Sequence, residues 1–119
     1  MHNFKDLKIW SKSRVLVKKI YELTEEFPSD EKFGLISQMR RAAVSIVSNI
    51  AEGSGKESDK DFCRFLEVAY SSSFELETQL ILAVDLTFIK QDASTEILID
   101  IQEIQKMIYS FIKTVKNKN

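Results

Sequence analysis

Turn-forming and cross-linking residues are scarce in this chain. Its 119 residues include three glycines, one proline and one cysteine. Strand-rich folds need more Gly and Pro at their turns, so the scarcity favours helices. With Cys63 alone, an intramolecular disulfide and a thiolate metal cluster are both excluded. A reduced, cytoplasmic setting is the expectation. The single histidine, His2, lies beside a terminus expected to be mobile, which argues against a catalytic base there. The Glu-x-x-His pairs of di-iron bundles are missing. The GSG after Glu52 lacks the Lys-Ser/Thr and the preceding strand of a phosphate loop. No apolar run approaches the ~20 residues of a membrane span, and MHNFKDLKIW lacks a signal-peptide core. A formal charge of −1 argues against attraction of the whole molecule to nucleic acid. These absences predict no catalytic residue, cofactor, metal, small-molecule substrate or membrane partner.

What is present is helical periodicity. Hydrophobic residues make up 44% and charged residues 29%, a globular balance. A single domain over residues 1–119 is expected, burying roughly two thirds of its unfolded surface. Four segments carry amphipathic patterns, at approximately 7–27, 31–52, 59–88 and 93–116. They predict an all-α, up-down-up-down antiparallel four-helix bundle. Pro28 ends the first segment, and Ser29 or Asp30 is a candidate cap for the second. Gly53 and Gly55 are expected to close the second helix. Ser58 should cap the third, with Asp61 at its third position, and Asp92 the fourth. Phe62, Leu66, Ala69, Ser73, Leu76, Leu80 and Ala83 form a four–three seam in the third segment. Ile97, Ile101, Ile104, Ile108, Phe111 and Val115 do the same in the fourth.

Charges on the first segment run against the helix dipole, with lysines at its start and Glu22, Glu25 and Glu26 at its end. Lys5, Lys8, Lys12, Arg14, Lys18 and Lys19 share a window with one acid, Asp6. This strip is either a solvated face or a surface for structured RNA. The second segment spreads its apolar residues over about 200° of the wheel, against the ≳ 100° of an ordinary surface helix. Either it sits centrally in the monomer or one flank meets another subunit. Arg40 and Glu77 fall inside apolar arcs and need partners. Counted outward from the loop near Gly55, they are offset by roughly six residues, ~9 Å along the axis. A polar network or subunit interface built from Arg40, Arg41, Asn49, Glu52 and Glu77 is the expectation.

The pieces FKDLKIW, FGLISQMRRAAVSIVSNIAEGSG and SDKDFCRFLEVAYSSSFELETQL resemble the bacterial four-helix bundle proteins also called 23S rRNA intervening-sequence proteins, which are related to the accessory variability determinants of retroelements. The resemblance covers nearly the whole chain. One departure is Val47, where members often carry proline, so a straighter second helix is expected. The resemblance implies a homopentamer of four-helix protomers and a connection to RNA, and carries no catalytic role. The expected function is therefore a non-enzymatic homo-oligomeric scaffold or interaction protein, whose partners are copies of itself and an RNA or a further protein. The alternative is an RNA-binding oligomer using the basic strip.

Overall fold

A computed structural model describes residues 2–32 and 34–117 of the chain. Four helices follow one another: α1, Lys8–Thr24; α2, Leu35–Ser54; α3, Asp59–Asp85; and α4, Gln91–Lys116. Short 3-10 turns at Phe4–Asp6 and Ser29–Glu31 precede α1 and α2. Each helix packs on its two neighbours in sequence order and α1 closes on α4. The backbones of the diagonal pairs α1/α3 and α2/α4 stay more than 8 Å apart, and their side chains share one core. The body measures 48 × 23 × 20 Å. The all-α bundle read from the periodicity is present.

The core sits between the four helices. Leu16 and Ile20 of α1, Met39, Ile46 and Ile50 of α2, Leu66, Leu76 and Leu80 of α3 and Ile101, Ile104 and Ile108 of α4 are buried. Every residue of the four–three seam read in α3 is buried. In α4 one position departs: Phe111 is half-buried with Ile112 buried beside it, and Val115 returns to the core.

Boundaries differ from expectation where tertiary contacts outweigh local signals. α1 stops at Thr24, and Phe27 turns back into the core against Phe88, their rings 5.5 Å apart. α2 starts at Leu35, not at residue 31. Neither Ser29 nor Asp30 caps it. Glu31 Oε1 accepts from the Leu35 amide at 3.2 Å instead. Phe33 lies outside the described residues. Ser58 caps α3 as expected, accepting from the Asp61 amide at 3.1 Å. Asp92 does not cap α4, which begins at Gln91, two residues earlier than expected, after Lys90. α3 ends at Asp85 in a turn where the amide of Phe88 donates to Ala83 O and that of Thr87 to Val84 O, both at 2.9 Å. This is the Schellman pattern, with Thr87 at φ 62° where glycine is usual. No glycine marks the stop, so α3 reads three residues too long.

Gly53 also departs from the expected role. It lies inside α2, which continues to Ser54, and no glycine has positive φ. Its purpose is close approach. A Cβ there would sit 2.7 Å from Phe65 Cβ, 2.9 Å from Phe62 Cδ1 and 3.2 Å from the Phe62 carbonyl oxygen. Two of these atoms are near or in the α3 backbone and cannot swing away. Ala42, Ala43 and Ala69 are also buried, and the most extensive helix contact is α2 on α3.

Gly53→Ala gains up to ~1 kcal/mol of helix propensity but overpacks the seam at a cost of about 1–3 kcal/mol. A net loss of about 1–2 kcal/mol in urea unfolding is expected, with unchanged helicity by circular dichroism. Equal or higher stability would show that the two helices do not approach this closely.

Candidate functional site

The polar residues that intrude on apolar arcs are resolved in three separate places. Arg40 leans toward α1. Its Nε donates to Thr24 Oγ1 at 2.9 Å and its Nη2 to the Tyr21 carbonyl at 3.3 Å. Its guanidinium carbon lies 4.4 Å from the Tyr21 ring centroid. Thr24, buried, donates its own hydroxyl hydrogen bond to the Ile20 carbonyl at 2.7 Å. The last turn of α1 has no basic residue of its own. Arg40 therefore brings from α2 the positive charge that the α1 dipole and its terminal carbonyls favour. No acid pairs with it among the described residues.

Glu77 leans toward α4. Its Oε1 accepts from Gln105 Nε2 at 2.7 Å and its Oε2 from Gln102 Nε2 at 3.3 Å. Asn49 serves the α2–α3 seam. Its Nδ2 donates to the Ser45 carbonyl at 2.8 Å and to Ser45 Oγ at 3.1 Å, and Ser45 Oγ lies 2.9 Å from Ser72 Oγ. Arg41 and Glu52 are exposed and make no hydrogen bond or ion pair among the described residues. The Ser45–Ser72 contact places Arg40 at about the level of Glu77, not offset from it. The offset expected from counting at Gly55 is absent because the connection runs on to Ser58 before α3 begins at Asp59. The two side chains still do not meet, because they occupy opposite flanks.

The lysine strip is divided by the bundle. Lys12 pairs with Glu103, and Lys19 with Asp100 at 2.7 Å and Glu96 at 3.2 Å, closing the α1–α4 edge. Hydrogen bonds to Asp100, then to Glu96, hold Lys19 protonated above its ordinary range. On the other flank Arg14 stacks over Trp10 at 5.5 Å. Lys5 lies over the Phe4 ring, 5.9 Å from its centroid. Lys8 and Lys18 are exposed.

His2 is not a loose end. Its backbone amide donates to Ser54 O at 2.9 Å, and its ring packs 5.1 Å from Phe62 and 6.0 Å from Phe111. Cys63 is buried, and burial pushes its thiol pKa up. Among the described residues, no three His, Cys, Asp or Glu gather into a metal-binding group. No helix there is long and apolar enough to cross a membrane.

α2 is not central. Its backbone runs beside α1 and α3 and stays farther from that of α4, and Val44, Val47 and Ala51 of its wide arc stay outside the core, exposed or half-buried. On the far side, Tyr70, Phe74 and Tyr109 form a ring cluster between α3 and α4, with centroids 4.9 and 6.0 Å apart. Gln102, Gln105 and Lys106 complete a shallow groove of about 400 Å³ there. Helix signals could not reveal this grouping, since it depends on which flank of α4 meets α3.

The family model described as 23S rRNA-intervening sequence protein matches residues 5–110, from the first basic residue to the last turns of α4. The chain belongs to this family. Among solved structures, it is similar to a protein of unknown function from the S23 ribosomal protein family of Bacteroides thetaiotaomicron. The two are 29% identical with a TM-score of 0.82, over 88% of this chain and 95% of that one. No curated protein matches. The 23S rRNA-intervening sequence family points to no enzymatic activity.

Removing the Arg40 fork takes a charged donor from Thr24 Oγ1 and from the Tyr21 carbonyl, although both keep partners within α1 and its cap. Hydrogen bonds to charged groups contribute about 1.5–3 kcal/mol, so Arg40→Ala should cost about 2 kcal/mol in denaturant unfolding. Arg40→Lys keeps the charge without the planar fork and should recover less than half. Full recovery by lysine would assign the effect to the dipole alone.

Proposed function

We propose that this 23S rRNA-intervening sequence family member is a non-enzymatic, homo-oligomeric scaffold working in a reducing, cytoplasmic compartment. The family resemblance supports a ring of five. The observation that carries the reading is the contiguous aromatic surface between α3 and α4. Phe74 is 45% and Tyr109 48% exposed while both pack on Tyr70, and Ile81 extends the patch at 48%. Single exposed apolar residues are ordinary, but a contiguous patch rimmed by polar groups marks an interaction surface. The uncovered arc of α2 supplies a second such surface on the opposite side. Light scattering on a sizing column should give a mass that is a multiple of the 13.7 kDa protomer, and five-fold on the ring reading. A clean monomer at micromolar concentration would sink the proposal.

A second reading, binding of structured RNA, is supported by the cations that the bundle leaves unpaired on its surface, Lys8 and Lys18 with Arg14 and Arg41. Lys12 and Lys19 are spent on α4. If RNA binds, its log affinity should fall with log salt at about −0.9 per phosphate neutralised on a duplex. Exchanging Lys8, Arg14 and Lys18 for Gln should flatten that slope, and exchanging Lys12 and Lys19 should leave it within error. Absence of binding at about 50 mM salt, where such contacts are strong, would remove this reading.

A further inference from the structure

A shallow groove of about 610 Å³ runs along the outer surface between α1 and α2. Its floor is apolar: Ile36 is buried in it, while Tyr21 and Val44 are exposed. Its cations are Lys32, Arg40 and Arg41, and no acid lines it. Arg40, half-buried, donates from Nε to Thr24 Oγ1 and from Nη2 to the Tyr21 carbonyl, both neutral acceptors. Its Nη1 has no acceptor among the described residues, and Arg41 has none at any of its nitrogens. The acids nearest along the flanking helices are Glu22 beside Tyr21, Glu25 one turn on, and Glu75 one turn beyond Ser72. All three are exposed, and none forms an ion pair with either arginine among the described residues. A half-buried cation without a counter-charge is costly, and two adjacent cations repel. The two arginines therefore call for an anion that the described residues do not supply.

The apolar floor narrows the kind of anion. A nucleic-acid backbone would neutralise the arginines and leave Ile36, Tyr21 and Val44 without a partner. A peptide satisfies both, with carboxylates on the guanidinium edges and aliphatic side chains on the floor. Two helices side by side form the kind of groove into which an amphipathic helix lays one face, anchored by residues three and four apart. Arg40 is already held in place for such a partner. Its guanidinium carbon lies 4.4 Å from the Tyr21 ring centroid and its two bonds tie it to α1, so little side-chain freedom is left to lose on binding.

We propose that this groove docks an acidic amphipathic helix of a different protein. Arg40 and Arg41 pair with its carboxylates, and its apolar side chains cover Tyr21, Ile36 and Val44. The inference rests on the interaction-scaffold reading and names the partner class of the surface opposite the aromatic cluster.

The test uses the full chain and a fluorescein-labelled peptide of about five helical turns, with Leu three and four apart and Glu beside them. A control peptide has Gln in place of every Glu. Anisotropy at about 50 mM salt should show saturable binding of the Glu peptide and at least tenfold weaker binding of the Gln peptide. Arg41→Glu and, separately, Val44→Glu should each weaken the Glu peptide about tenfold or more with helicity unchanged. Arg41→Gln gives the same comparison should Arg41→Glu lose helicity. Lys106→Glu, on the opposite side of the bundle, should leave the affinity within error. No saturable binding, or binding unmoved by the Arg41 and Val44 substitutions, overturns the site. Tighter binding of an RNA duplex at the same salt, lost with Arg41→Glu and kept with Val44→Glu, assigns the groove to nucleic acid and also overturns it. So does a peptide that binds only while lowering the mass seen by light scattering, which assigns the groove to a contact between copies. A monomeric wild type that binds the Glu peptide removes the homo-oligomeric reading and supports this site.

Discussion

The bundle depends on the closeness of α2 and α3. Gly53 presents no side chain to α3 at their joined end, which lets it lie against the Cβ of Phe65 and the backbone at Phe62. Further along, Ser45 and Ser72 touch through their hydroxyls, and Ala42, Ala43 and Ala69 fill the space with single methyl groups. Small residues let the backbones approach, and dispersion contacts accumulate over the whole length. Asn49 holds Ser45 from one turn further on, which uses a polar group to set register within a packed seam. The other helices are placed relative to this pair, α1 on the outer flank of α2 and α4 on the outer flank of α3.

The same arrangement resolves the electrostatic oddity of α1. Lysines crowd its start and Glu22, Glu25 and Glu26 its end, so on its own it opposes its dipole at both termini. The bundle answers the final turn from α2 and pairs two lysines along the helix from α4. Arg40 of α2 caps the final turn, while the acids Glu96, Asp100 and Glu103 of α4 neutralise Lys12 and Lys19. Exposed ion pairs stabilise little individually, so the second correction is mainly one of orientation. It favours the α1 face that closes on α4 over the face that carries Arg14 and Lys18. α1 is therefore a helix whose charge pattern makes sense only in the assembled fold.

This is also where the sequence stopped being legible. Periodicity is a local property, and it located all four helices and every buried residue of the α3 seam. The Ser58 cap was equally local. What it could not supply was information held by pairs of helices. Gly53 looked like a stop because glycine usually is one, and only the position of Phe65 reveals the other role. Thr87 gave no stop signal although it occupies the position where glycine is usual. Arg40 and Arg41 are adjacent in sequence but meet different surroundings, a capped helix end and open surface. The lysines of α1 looked like one strip until α4 claimed two of them. In each case the missing fact was which neighbour faces a given flank.

That distinction bears on what a small helical protein can encode without any chemistry. A bundle with one well-packed seam has two long sides left, and their composition is free to vary without unfolding the core. Here both sides expose apolar groups. A surface suited only to solubility would avoid contiguous aromatics such as Tyr70, Phe74 and Tyr109.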